Sequence, residues 1–277
     1  MTNGWPTPRP TPGIMPRRRT DLQPRVARQR GYATGPSAPR RFQPVDMAWC
    51  DSGFLYAVAQ REPVFKQFSD LYVGALVITD AVEKEIRNQA EKSPSPHYDA
   101  GKLLMIRSAN RIVQAIERGV IRIYELPTTA TAMVGSVIDQ LKGADEGRIV
   151  QPGVDSDERV VAVTEKNAGE AYSIVAAARV LAEGSSTVLL TDDGGASRVA
   201  ESRGVRSLNV ADVLRQLGCE DPQLTSEHLF AVCEAVTKSF GTLPTDARPR
   251  SAEDFKCKAV GGACSPCGWA GETSSPA

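Results

Sequence analysis

Five carboxylates stand where a fold of alternating strands and helices would gather them. Asp51 follows the apolar run Val45–Cys50, and Asp192 and Asp193 follow the run Thr187–Leu190. Glu85 falls about one and a half turns into the helix expected after Ile78, and Glu170 at the first turn of the helix expected around Ile174. In a parallel α/β sheet ligands bind outside the carboxyl ends of the strands, and both strand-end sites point to one such edge. Carboxylates brought together without Lys, Arg or His repel one another. A hard divalent ion relieves that repulsion, because magnesium and manganese prefer carboxylate and water oxygens. One such ion, or a pair, activates water and stabilises charge on a phosphate, which suits phosphodiester hydrolysis. Rival chemistry is poorly supplied, since the two histidines are His97, in a Ser/Pro loop, and His228, on an expected late helix.

Each acid also has a purely structural reading. Asp51 before Ser52-Gly53 shapes a turn, and Asp192 or Asp193 caps the helix after Gly194-Gly195. Glu85, inside Glu83-Lys84-Glu85-Ile86-Arg87, is a solvated helix charge, and Glu170 is a first-turn acid favoured by the helix dipole. Only their joint placement favours the chemical reading.

The elements that must position them can be read in order. Val45–Cys50 is a strand, followed by helices over Phe54–Ala59 and Pro63–Tyr72. Ala75–Thr79 is β-rich without alternation, as in a strand covered on both faces, and Asp80 can cap the helix that follows, from Ala81 to about Ala90. Lys102–Arg118 is helical, Ile121–Leu126 a strand and Met133–Leu141 a helix. Gly143–Asn167 is a long polar connection. Glu170–Glu183 is an amphipathic helix. Ser186–Leu190 is a buried strand, Ala196–Arg203 a helix, Val205–Leu208 a short strand and Val210–Leu217 a helix. Strands alternating with helices imply crossover connections, hence a three-layer α/β/α domain with a mainly parallel central sheet and disordered termini.

The chain has 277 residues with 33 basic and 33 acidic side chains, and this formal neutrality hides an asymmetry. Residues 1–45 hold nine Arg, nine Pro and a single acid, Asp21, so the arm carries +8 and the remainder −8. Such a segment buries too little to offset its ordering entropy and reads as a disordered basic arm, suited to solubilising the chain or to touching a polyanion. Residues 46–218 form the expected domain, 219–240 a helical extension, and 241–277 a mobile tail rich in Pro, Gly, Ser and Cys. No apolar run approaches the ~20 residues of a membrane helix. The N-terminus lacks an apolar signal region, and six scattered Cys do not make a disulfide framework. The expectation is a reduced, cytoplasmic protein.

Four blocks carry a family resemblance. Asp51-Ser-Gly-Phe-Leu-Tyr56 resembles the opening of a PIN domain, where an Asp at the end of the first strand precedes a small polar residue and an aliphatic helix. Ile78-Thr-Asp-Ala-Val-Glu-Lys-Glu-Ile86 is similar to the second block, with its acid at Glu85. Gly169-Glu-Ala-Tyr-Ser-Ile-Val-Ala-Ala-Ala178 resembles the third, with its acid at Glu170. Leu189-Leu-Thr-Asp-Asp193, followed by Ala196-Ser-Arg198-Val-Ala200 and Gly204-Val205, is similar to the fourth. The likeness spans roughly residues 46–218 and implies a magnesium- or manganese-dependent endoribonuclease, commonly a homodimer. By position, Asp51, Glu85, Glu170 and Asp193 would form the metal-binding quartet, with Asp192 an adjacent candidate. Ser52 and Thr191 would hydrogen-bond a water on the metal, and Arg198 would reach a substrate phosphate or form a surface ion pair. In-line attack by activated water would leave 5′-phosphate and 3′-hydroxyl ends on single-stranded or structured RNA. The family's bacterial toxins are about half this length, so the arm, the 143–167 connection and the C-terminal extension count against a toxin role and an antitoxin partner.

Other signals are weaker. Cys257, Cys264 and Cys267 supply one Cys-x-x-Cys pair and no nearby His, short of the four ligands of structural zinc. Cys219 and Cys233 read as small core residues. Gly194-Gly195 lacks the Lys-Ser/Thr ending of a P-loop. A phosphatase with Asp51 as nucleophile would need an acid where Gly53 stands. The alternative from another class is a non-catalytic PIN-like scaffold that binds nucleic acid or protein through its arm or tail.

Overall fold

Runs that are apolar at every position become strands buried on both faces. In the computed structural model, which describes residues 45–95, 97–146, 167–221, 223–240, 243–245, 247–256, 263–264 and 269–270, β1 (Met47–Cys50) and β2 (Leu76–Thr79) are buried along their whole length. The same holds for β4 (Thr187–Leu190), while β3 (Arg122–Tyr124) and β5 (Arg206–Leu208) form the partly exposed sheet edges. All neighbouring pairs are parallel, in the order β3-β2-β1-β4-β5. Alternate residues serve opposite layers. Ala48, Cys50, Leu76, Ile78, Val188 and Leu190 face one core, whereas Met47, Trp49, Val77 and Leu189 face the other.

The first core is covered by α1 (Ser52–Ala59), α2 (Glu62–Leu71), α3 (Asp80–Ala90), α4 (Ala100–Glu117), the later α8 (Val210–Glu220) and α9 (Ser226–Phe240). The second is covered by α5 (Thr131–Glu146), α6 (Ala168–Ala182) and α7 (Gly194–Ser202). The fold is therefore the expected three-layer α/β/α arrangement, with nine α-helices among the described residues. Helix-to-strand junctions are made by glycine. Gly119 and Gly184 adopt φ of 71° and 90°, and the amide after each bonds back to Ala115 and Val180, a left-handed stop that a side chain would strain.

The topology fixes where a ligand would sit. From central β1 the chain steps outward to β2 and β3, then crosses to β4 and β5 on the other side. The strand order therefore reverses between β1 and β4, and the crevice outside their carboxyl ends is the switch point. Helices that follow β1, β2 and β4 begin at that edge. So does α6, which runs back before β4.

Several details differ from expectation. Thr79, not Asp80, caps α3, its hydroxyl accepting from the Val82 amide at 3.4 Å, because the strand's last residue is the one with extended backbone. The helix expected over 133–141 runs from Thr131 to Glu146, so the polar connection begins later, and its residues 147–166 lie outside the described ones. The expected mobile tail is corrected over part of its length. Leu243 and Phe255 are buried in the first core beside Leu229, Val232 and Val236 of α9, and Arg215 donates to the Asp254 carbonyl at 2.9 Å. The helical extension thus belongs to the same core as the sheet. Cys233 is buried there, whereas Cys219 is only partly so. The basic arm through residue 44 lies outside the described residues, as do Cys257 and Cys267. Cys264 contributes backbone to a two-residue antiparallel pair, Ala263–Cys264 with Trp269–Ala270. No helix among the described residues is long and apolar enough to cross a membrane.

Candidate functional site

The floor of the crevice is Asp51, 5% exposed, at the end of β1. Its backbone is held by its amide bond to the Leu190 carbonyl at 3.0 Å, which continues the β1–β4 ladder. Its side chain caps α1 by accepting from the Gly53 amide at 3.4 Å, and its second oxygen accepts from the Thr191 hydroxyl at 3.2 Å. The Thr191 hydroxyl in turn accepts from the Asp193 amide at 3.1 Å. A short hydrogen-bonded chain therefore joins the ends of the two central strands.

Three further acids converge on that floor. Asp193 caps α7, its Oδ1 accepting from the Gly195 and Ala196 amides at 2.6 and 2.8 Å. Glu170, partly buried in the first turn of α6, lies within the field of Asp51, Glu85 and Asp193 together. Glu85 stands at the exposed rim, where Ser52 Oγ donates to its Oε1 at 2.9 Å. Gly169 makes room for it. A Cβ at that position would lie 3.3 Å from Glu85 Oε2 and 3.2 Å from Val82 Cγ2, tighter than ordinary packing.

The electrostatics are those of an unneutralised cluster. Burial, and then the Glu85 charge, push the Asp51 carboxyl up to about 7. Burial, and then the charge of Asp51, push Glu170 up to about 9. Burial also raises Glu85, against the lowering effect of Ser52. Among the described residues no Lys or Arg forms an ion pair with any of these acids. Each relief available to such a group, a cation or a bound proton, remains a demand on something outside the chain.

The other expected residues fall differently. Asp192 is engaged by the chain itself. Its Oδ1 accepts from the Val210 amide at 2.8 Å, tying the end of β4 to the start of α8, and its charge, less than that of Glu85, also raises Asp51. Burial pushes it up to about 6. One oxygen of its carboxylate is thereby taken by the first amide of α8, a structural role beside the ligand role expected of it. Arg198 is exposed on α7, and none of the ion pairs among the described residues involves it. Glu83, the most buried acid of α3, is a structural partner of Arg87 at 2.7 Å, so burial alone does not mark the acid that faces the site.

Sequence reasoning missed Gly169 as a packing requirement and Tyr56 altogether. Tyr56 lies one turn beyond Ser52 on α1, 5% exposed, and its hydroxyl has no hydrogen-bond partner among the described residues. The available signal was the i, i+4 spacing from Ser52. Among the described residues, no group of three or more His, Cys, Asp or Glu already stands as a ligand set for a metal ion. Comparison of the chain with protein-family models, with curated proteins and with solved structures found no match in any of the three.

Proposed function

We propose that the β1–β4 switch point is the active centre of a divalent-cation-dependent endonuclease that hydrolyses phosphodiester bonds, with RNA as its substrate class. One observation carries the reading. Four acids from four separate parts of the chain meet at a single sheet edge, two of them held well above the usual carboxylate range, with no basic side chain among the described residues paired to them. A fold gains nothing in stability from such an arrangement, since each buried like charge adds repulsion. The PIN-like order of the four blocks that contribute the acids supports the same chemistry.

The donor set suits magnesium or manganese, being oxygen throughout, with the Ser52 and Thr191 hydroxyls behind the carboxylates. Asp51, Glu170 and Asp193 would hold the ion, and Glu85 would close the set from the rim. When bound, the ion supplies positive charge to the phosphoryl oxygens and lowers the pKa of water near the phosphorus. The chain's own residues do the positioning. Thr191 fixes the orientation of Asp51, the α7 amides fix Asp193, and Ser52 turns Glu85 toward the crevice. Arg198, on the helix that begins at the site, would meet a phosphate of the incoming strand. The nine arginines of residues 1–45 would add sequence-independent phosphate contacts that weaken steeply with salt.

The test is cleavage of a labelled single-stranded RNA and its DNA counterpart with manganese, magnesium or EDTA, by wild type, Asp51→Asn and Glu170→Gln. Metal-dependent cutting of RNA that both variants lose supports the proposal. Cutting that survives both substitutions overturns it, and no cutting on either strand leaves the scaffold reading in its place.

A further inference from the structure

At the crevice a buried donor has no acceptor among the described residues, and a neighbouring carboxylate oxygen receives from none of them. The donor is the Tyr56 hydroxyl, buried and unpartnered in an α1 helix whose other buried residues are all satisfied by packing or by pairing. Ser52 and Tyr56 are four residues apart, so they lie one above the other on one face of α1. That face meets α3, as the Ser52–Glu85 hydrogen bond establishes. The acceptor is Glu85 Oε2. Ser52 serves only Oε1, and no described residue donates to Oε2, which lies against the bare Cα of Gly169.

We infer that Tyr56 is a positioning residue of the acidic site, its hydroxyl donating to the Glu85 carboxylate when the site takes up its cation. The inference rests on the metal-site reading above. An ionised carboxylate accepts hydrogen bonds at both oxygens, and each donor that holds it fixes the direction of its remaining lone pairs. With Ser52 alone, Glu85 is tethered at one oxygen and free to swing at the rim. A second donor from the same helix face would hold it in one rotamer over the crevice. Electrostatics agree with the placement, for after burial itself the charges that most raise the Tyr56 hydroxyl are those of Glu85 and Asp51.

The alternative is that the hydroxyl is incidental to the packing of α1 against α3. The two accounts differ in what removing one oxygen does. A buried hydroxyl with no partner is a cost to the folded chain, so Tyr56→Phe should leave the metal-free protein as stable or more so. If the hydroxyl also serves Glu85 in the loaded state, the same substitution should weaken cation binding.

The experiment is a manganese titration of the full-length wild type and Tyr56→Phe by calorimetry at pH 7, with thermal unfolding of both in EDTA. The expected result is an unchanged or higher melting temperature for the variant and a manganese Kd raised about three- to tenfold, the loss of one hydrogen bond to a charged group. Ser52→Ala, which removes the donor already paired with Glu85, should raise the Kd by a similar factor. A Kd for Tyr56→Phe equal to that of wild type, while Ser52→Ala shows its loss, overturns the role of Tyr56 and leaves the metal site standing. A wild type that takes up no manganese overturns the metal site, and the role of Tyr56 with it.

Discussion

The β1–β4 strand pair carries an aspartate at each end, and the two live in opposite conditions. Asp46, at the amino end, is exposed, and one of its oxygens accepts from both the amide and the hydroxyl of Ser186 at 2.9 Å, while its own amide donates to that hydroxyl at 3.0 Å. Asp51, at the carboxyl end, is buried beneath Glu85, Glu170 and Asp193 with a long bond to Gly53 and one to Thr191. The first aspartate closes the open end of a parallel ladder, and its hydrogen bonds account for it completely. The second is worse off than water would leave it. An acid that the fold has satisfied is holding structure, and an acid that the fold has crowded is held for something else.

That contrast can be broken most sharply by substitution at both ends. Asp51→Asn and Glu170→Gln should each lower metal-dependent cleavage by at least about 100-fold, since each removes charge that holds the cation. Asp46→Asn should leave cleavage within about twofold and lower stability by about 1 kcal/mol, the worth of its hydrogen bonds to Ser186. Cleavage assays beside thermal unfolding read both quantities. Equal effects at the two ends would dissolve the distinction.

Stability should respond to pH at the crevice. Raised carboxyl pKa values mean that the folded chain keeps protons that the unfolded chain, at about 3.8 for Asp and 4.5 for Glu, has already released. The folded state then binds more protons than the unfolded one, so stability is greatest below about pH 4 to 5 as far as these groups are concerned. It falls as the pH climbs through about 7 and toward 9. Melting in EDTA at pH 5.5, 7 and 8.5 should show that decline, and Asp51→Asn should remove much of it, gaining on the order of 2 kcal/mol at the alkaline end. Manganese should reverse the decline in the wild type.

A smaller effect sharpens the account at the level of packing. Gly169→Ala places a methyl group against Glu85 Oε2 and Val82 Cγ2, and the rim carboxylate must give by a few tenths of an ångström. Manganese affinity should weaken several-fold, worth about 1 kcal/mol, with little change in the melting temperature of the metal-free protein. Asp192→Asn should do the opposite, costing about 1 kcal/mol of stability through its bond to Val210 while leaving manganese affinity nearly unchanged.

Much of this was legible in the residues because strand, helix and strand-end acid are local patterns. Leu76–Thr79 and Thr187–Leu190 each carry three consecutive aliphatic residues without alternation, and burial on both faces explains that. The placement of Asp51, Glu85, Glu170 and Asp193 at one edge followed from parallel topology alone. What was not legible depended on partners brought from far along the chain. That Asp192 is also held by the Val210 amide depends on a partner 18 residues away. Gly169 matters because α3 carries Glu85 and Val82 past it. Leu243 and Phe255 are single apolar residues in a polar stretch, too sparse to make a period, yet α9 offers them a place in the core. Tyr56 read as one more apolar residue of α1, since its ring does pack and only its hydroxyl is out of place.

The central claim is that crowded acids at the β1–β4 switch point exchange protons for a divalent cation. Manganese titration of the wild type at pH 7 in two buffers of different ionisation enthalpy measures that exchange directly. The account predicts binding accompanied by release of roughly one to two protons per ion, because Glu170 and part of the Asp51 population must ionise to make room for it. Binding with no proton released, or no binding at all, would contradict it.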